Sequence, residues 1–281
     1  MSDRYPGGII VANPTAPTTT SAPGIWTLEQ AAYYIGQGTW PLPPYLLNNS
    51  LRIRKSNSAY LTRTPASASN RKTWTWSGWV KRGAIDGAYQ SFLEVYNGSS
   101  DSQCFNITWT DGNALMLGAY SVFWRVSTPL YRDPSSWYHI VVAIDTTQAT
   151  AADRIKMYVN GSQITSFSTS NDPTLNQDLA INQAAAHYTG SGNGRSYSDG
   201  YLAEVNFIDG QQLTPSSFGA TNTATGVWQP KLYSGSYGTN GYYLPFSNIA
   251  LTSGSNSGLG KDFSGNGNYW NTTNISITAG V

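Results

Sequence analysis

Three glutamates, Glu29, Glu94 and Glu204, are all that this chain of 281 residues contains. Cleaving a glycosidic bond takes two carboxyl groups flanking it, about 5 Å apart in retaining enzymes. Glu204 shares its segment only with Asp209, and a spacing of five places the two on opposite faces of a strand. Asp209 also belongs to an Asp-Gly turn. The two histidines, His139 and His187, do not form a metal-binding motif, and His139 opens an apolar run, as a satisfied core histidine would. No G-x-S-x-G elbow, phosphate-binding loop or dinucleotide glycine pattern occurs. Cys104 is the single cysteine, which excludes an internal disulfide and a cysteine-based zinc cluster. It precedes a strand and reads as a small buried side chain. The expectation is that the chain is not an enzyme.

Two other groups of residues have chemistry to offer. Asp262, Ser264, Asn266 and Asn268 place side-chain oxygens at alternating positions on a glycine-rich loop. Such hard oxygens suit calcium, or they form Asx-turns that shape the loop. The second group is aromatic. Trp109, Tyr120, Trp124, Tyr188 and Tyr197 fall in or near expected loops and strand edges, where rings cover the apolar face of a pyranose or pack internally. The stretch 187–199 combines glycine mobility with Tyr188, Arg195, Tyr197 and Asp199, and is the expected ligand-facing loop. Trp124 joins these four as a candidate ligand residue.

Composition narrows the partners. Charged residues make up 11% and aromatics 13%, with a net charge of +1. There is no basic run to serve as an electrostatic footprint for nucleic acid. No stretch reaches the roughly 18–20 apolar residues that cross a bilayer, and the first residues lack the apolar core of a signal peptide. Synthesis in a cytoplasm, without membrane insertion, is the expectation. A chain so poor in charge and rich in aromatics has much to bury, so a homo-oligomer is expected.

The elements that must position these residues fall into three parts. Residues 1–48 read as an extended arm plus one short helix. Pro14, Pro17 and Pro23 sit among threonines and serines, favouring extended backbone, and Gly7–Val11 is apolar enough to pair with a sheet. Thr27 and Gln30 form a capping box, Leu28, Ala31, Ala32 and Ile35 follow at helical spacing, and Gly36 supplies the stop. Trp26, Leu28, Ile35 and Trp40 are the expected anchoring residues.

Residues 49–225 read as strands. Within 73–82, Trp74, Trp76 and Val80 share one face and Trp79 takes the other. Phe105, Ile107 and Trp109 alternate with Asn106 and Thr108. His139–Asp145 is almost continuously apolar, as a strand covered on both sides must be. Ile155, Met157 and Val159 alternate up to Asn160-Gly161, a strong hairpin signal. Tyr201, Ala203, Val205 and Phe207 are expected on one face of a further strand. Residues 226–281, rich in Gly, Ser, Asn and Tyr, read as an irregular annex. The fold class expected is all-β, an antiparallel jelly-roll sandwich.

Four segments taken together, Trp74–Arg82, Trp137–Val142, Ile155–Ser162 and Gly200–Val205, resemble the laminin-G-like branch of the concanavalin A-like lectin and glucanase folds. The resemblance covers about residues 49–220. It implies a concanavalin A-like sandwich, and because related sandwiches often hold calcium at their rim, it makes calcium the one cofactor to test. A narrower resemblance links Gly200–Leu213, Gly226–Trp228, Asp262–Asn268 and the segment from Gly24 to Pro41 to virion proteins of tailed bacteriophages. It implies a non-enzymatic structural protein on the virion surface, as capsid decoration or tail component, with other virion proteins as partners. A glycan-binding adhesin for host attachment is the alternative.

Overall fold

The apolar run at 139–145 lies at the centre of the architecture. In a computed structural model, which describes residues 15–19, 22, 24–40, 45–222 and 225–278, it forms a strand covered on both faces. The strands in chain order are β1 (Leu51–Ile53), β2 (Tyr60–Arg63), β3 (Thr73–Arg82), β4 (Gln90–Tyr96), β5 (Cys104–Trp109) and β6 (Ala114–Gly118). They continue with β7 (Phe123–Leu130), β8 (Trp137–Asp145), β9 (Ile155–Val159), β10 (Ser162–Gln163), β11 (Phe167–Ser170) and β12 (His187–Thr189). The last five are β13 (Gly200–Asp209), β14 (Gly219–Thr221), β15 (Trp228–Pro230), β16 (Tyr242–Leu244) and β17 (Asn271–Thr273).

Two antiparallel sheets form the sandwich. One runs β1-β13-β3-β8-β9-β10 with β16 added on β13, and the other runs β11-β7-β6-β5-β4-β12-β2-β17. Between them lies the core, with Trp74, Trp76, Ile140, Val142, Ile144, Val205 and Phe207 facing Phe92, Phe105, Ile107, Trp109 and Leu117. Rings interlock across the gap: Trp76 stacks on Phe92 at 6.0 Å, and Trp74 meets Phe105 edge-on at 5.3 Å. The fold is the expected all-β jelly-roll sandwich.

The far side of the first sheet is covered as well. Val141, Ala143, Tyr158 and Ile208 pack under Phe218, Leu213, Tyr233 and Tyr237. That second cover explains why β8 does not alternate. Trp79 faces the same way and stacks on His139, which stacks in turn on Trp228. The Asn160-Gly161 turn joins β9 to β10 with positive φ at both residues, 50° and 81°. A side chain at Gly161 would collide with the Trp228 ring, its Cβ lying 2.5 Å from it. Glycine is thus required there twice, by conformation and by space.

Three expectations are corrected. On β13 the core side chain is Leu202, and Tyr201 is exposed. The register slips between Ala203 and Asn206, with Glu204 at φ 51°, so one extra residue shifts the face midway along the strand. The segment from 226 onward is mostly irregular, as expected, but it is built into the sandwich. β16 extends one sheet, β17 extends the other, and Leu244, Trp270 and Ile275 lie in the common core. The helix stops two residues later than expected: Gly38, at φ 68°, is the left-handed residue after the Gln37 cap.

The chain divides into two units, residues 1–46 and 47–281. Within the first, helix α1 (Leu28–Gly36) carries the expected capping box. The Gln30 amide donates to Thr27 Oγ1 at 3.2 Å, and the Thr27 amide donates to Gln30 Oε1 at 2.9 Å. The apolar stretch Gly7–Val11 and the prolines after Trp40 lie outside the described residues, as do Pro14 and Pro23.

Candidate functional site

Side chains on β4, β5 and β6 that point away from the core build a floor of two cross-strand rows. Register aligns Glu94 with Asn106 and Asn106 with Gly118; the neighbouring row is Ser91, Thr108 and Met116. Gly118 contributes no side chain, and Asn106 Oδ1 and the Met116 methyl take that space, 2.9 and 3.3 Å from where its Cβ would stand. Over this floor lies a cleft of about 120 Å³, walled by Tyr89, Tyr96, Gly192, Asn193, Arg195 and Ser196. At roughly 30 Å³ per water it admits the edge of one ring, not a buried oligomer.

The loop at 190–198 shapes one wall, and its glycines fix it rather than free it. Gly192 and Arg195 exchange both backbone hydrogen bonds, at 2.7 and 2.8 Å, around Asn193-Gly194. Both central residues have positive φ, 47° and 77°, the requirement of a type I′ turn. Gly192 lies flat against Glu94, where a Cβ would fall 2.1 Å from Oε2.

The floor is rich in acceptors. Glu94 Oε2 takes a hydrogen bond from Ser91 Oγ at 3.0 Å. Burial pushes the Glu94 carboxyl up to about 7, against the pull of the Ser91 hydroxyl and the Arg195 charge. Asn106 Oδ1 is buried and accepts no hydrogen bond among the described residues. Thr108 Oγ1 is committed to the Trp109 carbonyl at 3.1 Å. Arg195 lies exposed at the rim, over the Tyr96 ring at 5.8 Å.

Of the residues singled out in the sequence, Arg195 lines this cleft. Tyr188 is the cross-strand neighbour of Glu94 and, with Tyr197, joins a cluster around Tyr60, at 5.9 and 6.4 Å. Asp199 lies elsewhere. It pairs with Arg52 at 3.0 Å and accepts the Lys55 amide, tying β1 down. Trp124 is corrected outright, because its ring is in the core. Irregular register between β6 and β7 breaks the alternation there, so Trp124 and Arg125 are both buried. Glu94, Asn106, Tyr89 and Tyr96 were not singled out. The available signal was the polar half of the alternation, Asn106 and Thr108 between Phe105, Ile107 and Trp109.

Asp262, Ser264, Asn266 and Asn268 do not fit a calcium ion. Asp262 is buried and its carboxylate is already filled: Oδ1 accepts the amides of Tyr243 and Ser264, and Oδ2 accepts Ser264 Oγ and the Asn268 amide. Asn268 Oδ1 accepts from Arg63, and the Asn266 and Asn268 amides donate to the Gly241 carbonyl. The nearby positive charge is the Arg63 guanidinium, which senses Asp262 and Asp209. Among the described residues no group of three or more His, Cys, Asp or Glu is placed to hold a metal. Thermal melts with millimolar calcium or with chelator are therefore expected to give the same midpoint; a rise with calcium would contradict this assignment.

The carboxylates and imidazoles elsewhere serve structure. Glu204 accepts from Tyr243 Oη at 3.0 Å, and Asp209 accepts from Ser69, Asn182 and Asn240. His139 is buried between Ser77 Oγ and the Trp228 indole N–H. Of the anchoring residues, Leu28 is 90% and Ile35 54% exposed, and no residue of α1 is buried. Trp26 packs edge-on against Trp40 at 5.4 Å and Tyr34 at 5.3 Å.

A double-layered antiparallel sandwich with a polar, ring-walled cleft on one outer face defines a lectin-like module. The family model of the concanavalin A-like lectin/glucanases superfamily matches residues 55–217, and the chain belongs to that superfamily. No curated protein matches it. Among solved structures, the SAP-like pentraxin of Limulus polyphemus, a native heptamer, is 15% identical with a TM-score of 0.43, covering 60% of this chain and 80% of its own. The CBM40 module of Ruminococcus gnavus IT-sialidase, bound to α2,3-sialyllactose, is 15% identical with a TM-score of 0.41, covering 60% of this chain and 94% of its own. Trypanosoma rangeli sialidase is 14% identical with a TM-score of 0.38; 52% of this chain aligns, spanning 22% of that enzyme. Likenesses this distant assign no ligand to the chain.

Proposed function

We propose that the chain is a non-enzymatic glycan-binding module and that the ligand sits on the Glu94–Asn106 floor. The observation that carries this reading is a polar floor of Glu94, Asn106 and Thr108 under a cleft walled by Tyr89, Tyr96 and Arg195. Tyr89 and Tyr96 offer rings to the apolar face of a sugar. Screening against an array of neutral, amino and acidic glycans is expected to give saturable binding. No binding at millimolar glycan would sink the reading.

A second reading, favoured by the exposed apolar side of α1, concerns where the module is displayed. A capped helix with Leu28 and Ile35 exposed two turns apart on one face, and a single charge, Glu29, has a side suited to burial against a partner. The proposal is that the N-terminal unit anchors the sandwich on a bacteriophage particle, as decoration or tail component. Quantitative mass spectrometry of purified particles is expected to find tens of copies or more for decoration, or a small multiple of three or six for a tail. Absence from the particle would leave a free glycan-binding module.

A further inference from the structure

We propose that the open edge of the sandwich holds a second site, for an aliphatic carboxylic acid, in which Arg54 takes the carboxylate. β1 ends one sheet and β17 ends the other, and among the described residues no strand closes the gap between them. A cleft of about 500 Å³ lies at this edge, between residues 48–54, Tyr201 of β13 and the segments that follow β16 and β17. Sites for small organic ligands run to roughly 300–1,000 Å³. Part of the lining is apolar. Leu51, Phe246 and Ile275 belong to the common core, and Ile249 and Ile277 stand exposed beside them. An aliphatic chain laid across these side chains removes apolar surface from water on both partners.

Charge selects the head group. Two guanidiniums line the cleft and no carboxylate does, the rest of the polar lining being uncharged amides and hydroxyls. The two cations are not equivalent. Arg52 pairs with Asp199 at 3.0 Å, donates to the Ile53 and Gly200 carbonyls at 2.9 and 3.1 Å, and lies over the Tyr201 ring at 4.9 Å. Arg54 is half-buried, and its guanidinium has no ion pair or hydrogen bond among the described residues. Its Nε is sealed, so the terminal nitrogens are the donors a ligand reaches. They form the end of a planar fork that matches the two oxygens of a carboxylate. An uncompensated cation beside aliphatic side chains thus calls for an anion on an aliphatic body.

The test is calorimetric titration of the full chain with octanoate and with 1-octanol, which share a chain and differ in the charge of the head. Octanoate is expected to bind saturably, at least about tenfold more tightly than octanol. Arg54→Gln is expected to cost octanoate about tenfold in affinity and to leave octanol where it was. Ile277→Asn, at an exposed position, is expected to weaken both about threefold or more. If Arg54→Gln fails to fold, the ratio of the two affinities on the unaltered chain decides alone. A ratio near one, a ratio that Arg54→Gln does not move, or no octanoate heat at millimolar concentration overturns the proposal. A dimer that forms with rising concentration and excludes octanoate overturns it too, by making a second copy the occupant. The glycan reading stands or falls separately, because its cleft lies over β4, β5 and β6.

Discussion

Asp262→Ala is expected to cost about 3–5 kcal/mol of folding stability, the largest effect of any single substitution considered for this chain. The carboxylate receives three backbone amides, from Tyr243, Ser264 and Asn268, and one hydroxyl, from Ser264. The amide of Tyr243 belongs to β16, which lies against β13. Alanine would orphan those donors together and remove one of the two carboxylates whose charge reaches Arg63. Because Leu244, Leu259 and Trp270 reach the common core around this knot, the loss spreads to the sandwich. Urea unfolding checks it: a fall of less than about 1 kcal/mol would show that the loop is dispensable.

The second large effect is loss of stability in weak acid. His139 Nδ1 accepts the Trp228 indole, a group that only donates, and His187 Nε2 accepts the Asn182 amide. Both imidazoles are thus neutral in the folded chain, and burial holds them at about 3 and about 4. An unfolded histidine binds its proton near pH 6.5. As pH falls below that value the unfolded state takes up two protons that the folded state refuses, so folding weakens. Glu94 acts in the opposite sense. Held at about 7 when folded and near its ordinary value when unfolded, it keeps a proton that the unfolded chain gives up. Its contribution grows as pH falls through 7 and is complete below the unfolded value.

The net difference over that window is one proton, which sets a slope of about 1.4 kcal/mol per pH unit between roughly pH 6.5 and 4.5. Glu94→Gln removes the opposing group, and the slope is expected to double to about 2.7 kcal/mol per unit. Urea midpoints across this range give both numbers. A flat profile would mean that the imidazoles are not buried as described, and a slope that Glu94→Gln leaves unchanged would mean that the Glu94 carboxyl is not raised by burial.

Much of the frame was legible in the sequence, because it depends on local rules. The Thr27–Gln30 box, the Asn160-Gly161 turn, the split of Trp74 and Trp76 from Trp79, and the two-sided cover of His139–Asp145 each follow from period and residue type. What escaped depends on register. The bulge at Glu204 put Leu202 in the core in place of Tyr201, and irregular pairing at β7 buried Trp124; neither has a marker in the local pattern. Residues 226–281 looked irregular because β16 and β17 are only three residues long and separated by turns.

The site was half legible for the same reason. Arg195 was found through its glycine-rich loop, yet those glycines build a tight turn. Glu94 and Asn106 stand on different strands, and only the pairing of β4 with β5 makes them neighbours. The oxygens of the Asp262 loop suggested a cation, but backbone amides of the same loop and of β16 had already filled them. Spacing records which ligands are present and not which donors reach them first.

The central claim, that a sugar sits on the Glu94–Asn106 floor, is tested most directly by methionine methyl NMR. The chain has three methionines, Met1, Met116 and Met157. Met116 lines the cleft and Met157 is sealed in the core between the sheets. Titration with a glycan that binds on the array is expected to move the Met116 methyl resonance saturably while Met157 stays in place. Saturable binding that leaves Met116 unmoved would put the ligand elsewhere on the chain and contradict the assignment.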